Sequence, residues 1–157
     1  VGQPGVILNR KRAQQVKSFA NLRFKANGKV TPTDIDGYLE FDGQLAIFIE
    51  LKHDDAPMSY GQRTALRRLV CNHRCPTIVF LCEHNVDNTD NDIDADNCTV
   101  SEYLFNDASA LHIKEHRSIN SENSGKWVDC RLHPMQLKQA IEWFLETMGF
   151  SSYIYKP

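Results

Sequence analysis

Asp34-Ile35-Asp36-Gly37-Tyr38-Leu39-Glu40-Phe41-Asp42-Gly43-Gln44-Leu45-Ala46-Ile47-Phe48-Ile49-Glu50-Leu51-Lys52 decides how this chain folds. Two strands are written in it, Asp36 to Phe41 and Leu45 to Lys52, joined through Asp42-Gly43, a turn dipeptide. The second is β-branched and aromatic at its centre. Ile47, Ile49 and Leu51 share one face, and Ala46 and Phe48 the other, as in a strand buried on both sides. Two residues break this pattern. Glu50 and Lys52 are charged, and period two sets them on the same face about 7 Å apart. The turn then decides whether Asp36 can join them. A two-residue Asp42-Gly43 turn puts Ile35 opposite Glu50 and sends Asp36 to the other face, whereas an odd loop or a β-bulge returns Asp36 to the face of Glu50. We expect such a loop or bulge; a three-residue loop with Gly43 in the left-handed conformation would serve.

Moving outward, Arg10 to Phe19 has no breaker and reads as a short basic helix. Leu22 to Lys25 alternates and meets Asn27-Gly28, a hairpin signal, so a strand turns there and is expected to form a meander with the next two. After Lys52, Ser59 is the expected N-cap of a helix with Gln62, Leu66, Leu69, Val70 and His73 on one stripe. Thr77 to Cys82 follows as a buried strand. The order is helix, three strands, helix, strand. Beyond it, Asn85 to Asn97 is an Asp/Asn-rich loop, and Val100–Phe105, Ala110–Lys114 and Lys126–Arg131 read as short peripheral strands. A last helix starts at Pro134 and stops before Gly149, burying Leu137, Ile141, Phe144, Leu145 and Met148.

With 157 residues, 41% hydrophobic and 24% charged, the chain is expected to form one α/β domain over 1–157. Its core is expected over about 10–82, with a C-terminal extension over about 98–150. No apolar run is long enough to span a membrane, and no apolar N-terminal stretch resembles a signal peptide, so no membrane partner is expected. The five cysteines are odd in number and scattered, which fits thiols in a reducing cytoplasm. A net charge of −2 hides strong segregation. Residues 1–30 carry seven basic side chains and no acid, 31–60 seven acids against Lys52 alone, and 81–110 eight acids and no Lys or Arg. Arg63, Arg67, Arg68 and Arg74 make the intervening segment basic. An acidic pocket between basic elements is what a metal site handling a polyanion requires; solvated faces are the plainer reading.

Asp36 and Glu50, converging from neighbouring strands, suit Mg²⁺ or Mn²⁺, hard ions bound by one or two carboxylates plus waters and a substrate phosphate. Lys52 is then placed to hold the attacking water or to stabilise charge developing on phosphorus. Asp36-Gly37, then Glu50-Leu51-Lys52 with thirteen residues between Asp36 and Glu50, followed by a Gln-bearing helix, resembles the PD-(D/E)XK nuclease superfamily, the restriction-endonuclease and Holliday-junction-resolvase group. The likeness covers about Arg10 to Cys82. It implies an αβββαβ core with a central mixed sheet flanked by helices, Asp36 and Glu50 as metal ligands with the Leu51 carbonyl, Lys52 as the motif lysine, and Gln62 near the centre. Two departures stand out: Ile35 precedes the motif Asp in place of Pro, and only Gln14 and Gln15 occupy the first-helix position where many members carry Glu. Asp34, on the same strand face as Asp36, competes for the ligand role.

The implied function is metal-dependent hydrolysis of nucleic-acid phosphodiesters, with DNA of branched or flapped structure the expected substrate, RNA not excluded, and a homodimer compatible. Arg10, Lys11, Lys17, Arg63 and Arg67 are the expected phosphate contacts. One rival is a catalytically weak nuclease fold kept as a nucleic-acid-binding or protein-interaction module; another is a metal hydrolase acting on a small phosphoester. Cys71, His73, Cys75, Cys82 and His84 lack the matched second pair of a zinc site and read as unpaired buried thiols and ordinary histidines. Asp90, Asp92 and Asp94 begin like a calcium loop, but Ala95 and Ser101 replace its turn Gly and bidentate Glu.

Overall fold

The computed structural model describes residues 24–26, 28–30, 34–54, 56–88, 90–113 and 120–154. The chain divides into two compact units, Val1–Asp34 and Ile35–Pro157. In the first, β1 (Phe24–Ala26) and β2 (Gly28–Val30) pair antiparallel as a two-stranded sheet. The antiparallel pair is therefore formed as expected, but the meander is not. The returning strand supplies the partner of β1, and the next two strands belong to a different sheet. The predicted helix from Arg10 to Phe19 lies outside the described residues.

The second unit is α/β. β3 (Gly37–Phe41), β4 (Leu45–His53), β5 (Thr77–His84), β6 (Thr99–Phe105) and β7 (Val128–Asp129) form a mixed sheet in that order, and β8 (Met135–Gln136) also pairs with β6. Only the β4 to β5 pairing is parallel. A parallel pair needs a crossover, and α1 (Tyr60–Cys71) provides it. Ser59 caps α1, its side chain accepting the Gln62 N–H at 3.2 Å. Among the described residues two more helices, α2 (Asp107–Ile113) and α3 (Leu137–Thr147), complete the fold, and none is long and apolar enough to cross a membrane.

The sheet has two differently covered faces. α2 and α3 bury Leu45, Ile47, Ile78, Phe80, Val100 and Phe105 against Ile113, Leu137, Ala140 and Phe144. α1 buries Phe48, Val79, Leu81 and Leu104 beneath Leu66 and Val70. β6 is consequently an inner strand, buried at nearly every position. Ala110 to Lys114 was expected as a strand because a short apolar run has no decisive period. The Asn106 side chain decides it, accepting the Ser109 N–H at 3.0 Å as an N-cap would. That carboxamide also accepts the Thr77 N–H at 3.0 Å and donates to the Cys75 carbonyl at 2.8 Å, so a fully buried amide ties α2 to the start of β5. α3 begins at Leu137 because Met135 and Gln136 are first used in pairing with β6; Gly149, at φ +83°, lies just past its end.

Candidate functional site

β3 and β4 pair with Phe41 opposite Leu45 and Gly37 opposite Ile49. The connection is thus the three residues Asp42-Gly43-Gln44, an odd loop as expected. Asp42 and Gly43 both have positive φ, +53° and +69°, and the Gln44 N–H closes the turn on the Phe41 carbonyl at 2.9 Å. Asp36 lies one residue before β3, whose pairing with β4 ends at Gly37 opposite Ile49; the same register carried one residue further would run from Asp36 to Glu50. The Asp36 carboxylate accepts the Leu51 N–H at 2.7 Å, taking a strand donor just beyond the last β3 pair. Leu51 enters the site through that N–H, while its side chain packs on the opposite core. Asp34 is exposed and belongs to the first unit.

Glu50 is 3% exposed. Its Oε1 receives Lys52 Nζ at 2.7 Å and Gln62 Nε2 at 2.9 Å. Burying a carboxylate is costly unless it is paired and hydrogen-bonded, and here an ammonium and a carboxamide converge on one oxygen. The period of the strand supplies the lysine; the capped first turn of α1 supplies the glutamine. Of the residues singled out from the sequence, Glu50, Lys52 and Gln62 are thus in contact, while Asp36 is held to the main chain of Leu51, the residue between Glu50 and Lys52.

The basic set separates differently. Arg10, Lys11 and Lys17 lie outside the described residues. Arg63 holds Glu102 with both prongs of its guanidinium, at 2.6 and 3.0 Å, and lies 5.2 Å from the centre of the Trp127 ring. Arg67 Nε donates to the Gly125 carbonyl at 2.7 Å. Both guanidinium groups therefore hold groups of the protein itself.

Three residues not singled out from the sequence extend the cluster. Glu102 on β6 is 8% exposed, and the paired residues Glu50, Leu81 and Glu102 form one row across β4, β5 and β6. Glu83 follows Leu81 on the same face of β5. Arg131 reaches Glu83 at 3.3 Å, Asp129 at 3.1 Å and Glu102 at 3.8 Å, and the hydrogen bond to Glu83 raises the pKa of its guanidinium. Lys52, Arg63, Glu83, Glu102 and Arg131 line a cleft of about 310 Å³, walled by Met58 and Leu81. Glu102 carried the same signal as Glu50, a charge inside an apolar strand. What hid its direction is a register shift opposite Leu81 and Cys82, which makes Ser101 an extra residue on β6. The bulge lets Val100 face the α3 core while Glu102 faces α1.

Among the described residues no group of three or more His, Cys, Asp or Glu side chains is gathered as a metal centre. Asp36 and Glu50, with a main-chain oxygen, are nonetheless the hard oxygen donors that suit an ion keeping several waters. All five cysteines are free; Cys82 is buried as expected, whereas Cys75 is half-buried and Cys71 exposed. No family model matches this chain, and it has no match among the curated proteins or the solved structures.

Proposed function

We propose that the chain hydrolyses phosphodiester bonds of nucleic acid in the manner of the PD-(D/E)XK nucleases it resembles, with DNA of branched or flapped structure as substrate. The observation that carries this reading is the buried Glu50 carboxylate with Lys52 and Gln62 on one oxygen, next to a three-residue Asp42–Gln44 loop whose register, carried one residue past β3, runs from Asp36 to Glu50. A two-residue turn would have parted them.

In this reading Asp36 and Glu50, with the Leu51 carbonyl, hold Mg²⁺ or Mn²⁺. A bound divalent ion polarises the scissile phosphate and lowers the pKa of a coordinated water. The protein's own groups do the rest. Hydrolysis joins a water oxygen to phosphorus and breaks the phosphorus bond to one sugar oxygen, and negative charge grows on the non-bridging oxygens. Lys52 has three N–H donors and commits one to Glu50 Oε1, so two remain for the attacking water and a non-bridging oxygen. Gln62 donates to Glu50 and keeps that carboxylate facing Lys52 as substrate enters and leaves. The half-buried Lys52, at the edge of the cleft, meets phosphate from the solvent side.

A second reading is a nuclease fold retained as a nucleic-acid-binding or protein-interaction module, and the inward commitment of Arg63 and Arg67 favours its protein-interaction form. End-labelled linear, flapped and four-way-junction DNA, incubated with the protein and Mn²⁺ or EDTA, separates the two. Metal-dependent cutting of the structured substrates is expected; binding without cutting of any substrate would overturn the nuclease reading in favour of the module.

A further inference from the structure

We infer that the Arg63–Glu102 pair is a positioning device that sets the first turn of α1 over the sheet and thereby aims Gln62 at Glu50; this rests on the nuclease reading for its catalytic consequence. Gln62 and Arg63 are adjacent residues, so on a helix they diverge by about 100°. One reaches β4, through Glu50 at 2.9 Å, and the other β6, through Glu102 at 2.6 and 3.0 Å. Glu50 and Glu102 flank Leu81 in one row, two strand spacings or roughly 9.5 Å apart. The helix therefore stands on two legs across β5.

The second leg is built for rigidity. A two-pronged guanidinium–carboxylate contact fixes angle as well as distance. Glu102 is nearly buried, the Trp127 ring lies 5.2 Å from the Arg63 guanidinium, and one turn on Arg67 is tied to the Gly125 carbonyl in the same segment. The bulge at Ser101 is what points Glu102 at α1. Without this leg the helix retains Leu66 and Val70 in the apolar core but is free to pivot about them, and Gln62 loses its aim. Arg63 and Glu102 act through Gln62; neither is assigned to touch substrate.

Arg63→Met and Glu102→Gln should then behave alike. We expect each to lower kcat by between about tenfold and a hundredfold, the scale of a displacement near 1 Å, with KM and the salt dependence of DNA binding unchanged. Leu69→Ala, which loosens the same helix without touching either leg, measures what lost stability alone does, and should leave kcat near wild type at a temperature where the protein is folded. If Arg63 is instead a phosphate contact, Arg63→Met will weaken binding and flatten its salt slope by about 0.9, while Glu102→Gln, by releasing the guanidinium, will tighten binding. That divergence would overturn the proposal. An arm independent of cleavage uses ¹⁵N-labelled protein: the Gln62 side-chain amide protons should be shifted and protected from solvent exchange in wild type and Leu69→Ala, and resemble a solvated amide in the two pair variants. Unchanged Gln62 signals in both would overturn the positioning role even if wild type cuts no DNA, an outcome that by itself counts only against the nuclease reading.

Discussion

Under α2 and α3, β4 presents Leu45, Ile47, Ile49 and Leu51, and β5 answers with Ile78, Phe80 and Cys82. Under α1 the same two strands present Phe48, Glu50 and Lys52 against Val79, Leu81 and Glu83. The first face is apolar as far as Leu51 and Cys82, beyond which the paired His53 and His84 end it. The second is apolar only beneath Leu66 and Val70, then becomes charged where the helix begins. The backbones are shared, so the difference is one of side chains alone. A strand face that needed only to pack would have no use for a carboxylate that is 3% exposed, because removing either of its donors leaves a buried charge poorly satisfied. The cost of Glu50 is borne at the α1 end of the sheet, and the uninterrupted core on the other side supplies the stability that offsets it.

Substitutions at the charged end should produce the largest effects, and on activity. Glu50→Gln and Asp36→Asn should abolish cleavage, with partial recovery in excess Mn²⁺ because amide oxygens are poor ligands but still ligands. Lys52→Ala should lower turnover by about two to four orders of magnitude and leave DNA binding intact. Asp34→Asn should matter less than Asp36→Asn. Cleavage by Lys52→Ala at the wild-type rate would break the assignment of chemistry to this end.

The reverse experiment is placed on the other face. Phe80 is fully buried among the α2 and α3 side chains, and Phe80→Ala should cost about 3–5 kcal/mol in urea unfolding. Turnover per folded molecule should not change. If the folded variant loses activity in proportion to its stability, the two faces are not separable.

A smaller effect is expected at the loop that sets the register. Gly43 has φ +69° with open space where a Cβ would lie, so Gly43→Ala meets no clash and pays only the left-handed backbone cost, about 1–2 kcal/mol. The loop length, and with it cleavage, should survive. Deleting Gly43 tests the opposite case, because a two-residue loop returns Asp36 to the far face. A deletion variant that folds and cuts as wild type would show that register has no part in the site.

How much of this was legible depends on the range of the interaction. Glu50 and Lys52 could be placed on one face because strand period is local, and Ser59 and Gln62 because a cap and the N–H it accepts lie three residues apart. The odd loop was legible only through what the site requires, since Asp42-Gly43 alone also suits a two-residue turn. Glu102 could not be aimed, because its direction depends on a one-residue bulge at Ser101 that only pairing with β5 reveals. Arg63 read as a surface cation for the same reason: its partner is thirty-nine residues away. The inner position of β6 is likewise settled by tertiary contacts, whereas the Asn106 cap on Ser109 is a local signal that short-run periodicity obscured.

The smallest effect separates the faces by pH. The α2 and α3 side also holds thiols: Cys82 is fully buried, and Cys130 Sγ donates to the Val100 carbonyl at 3.2 Å. Burial, with Asp129 and Glu102 nearby, pushes the Cys130 pKa from 9.0 up to about 11. Burial raises that of Cys82 as well. A thiol whose folded pKa lies above its unfolded value binds its proton more tightly in the folded state, so its contribution is fully present below pH 9 and is lost as pH rises toward 11. Stability in urea should therefore decline over that window. Cys130→Ala should decline less steeply than wild type, and the difference between the two curves isolates this thiol from the lysines and tyrosines that titrate in the same range. Parallel curves would mean that Cys130 is solvated when folded and that the apolar face does not extend to it.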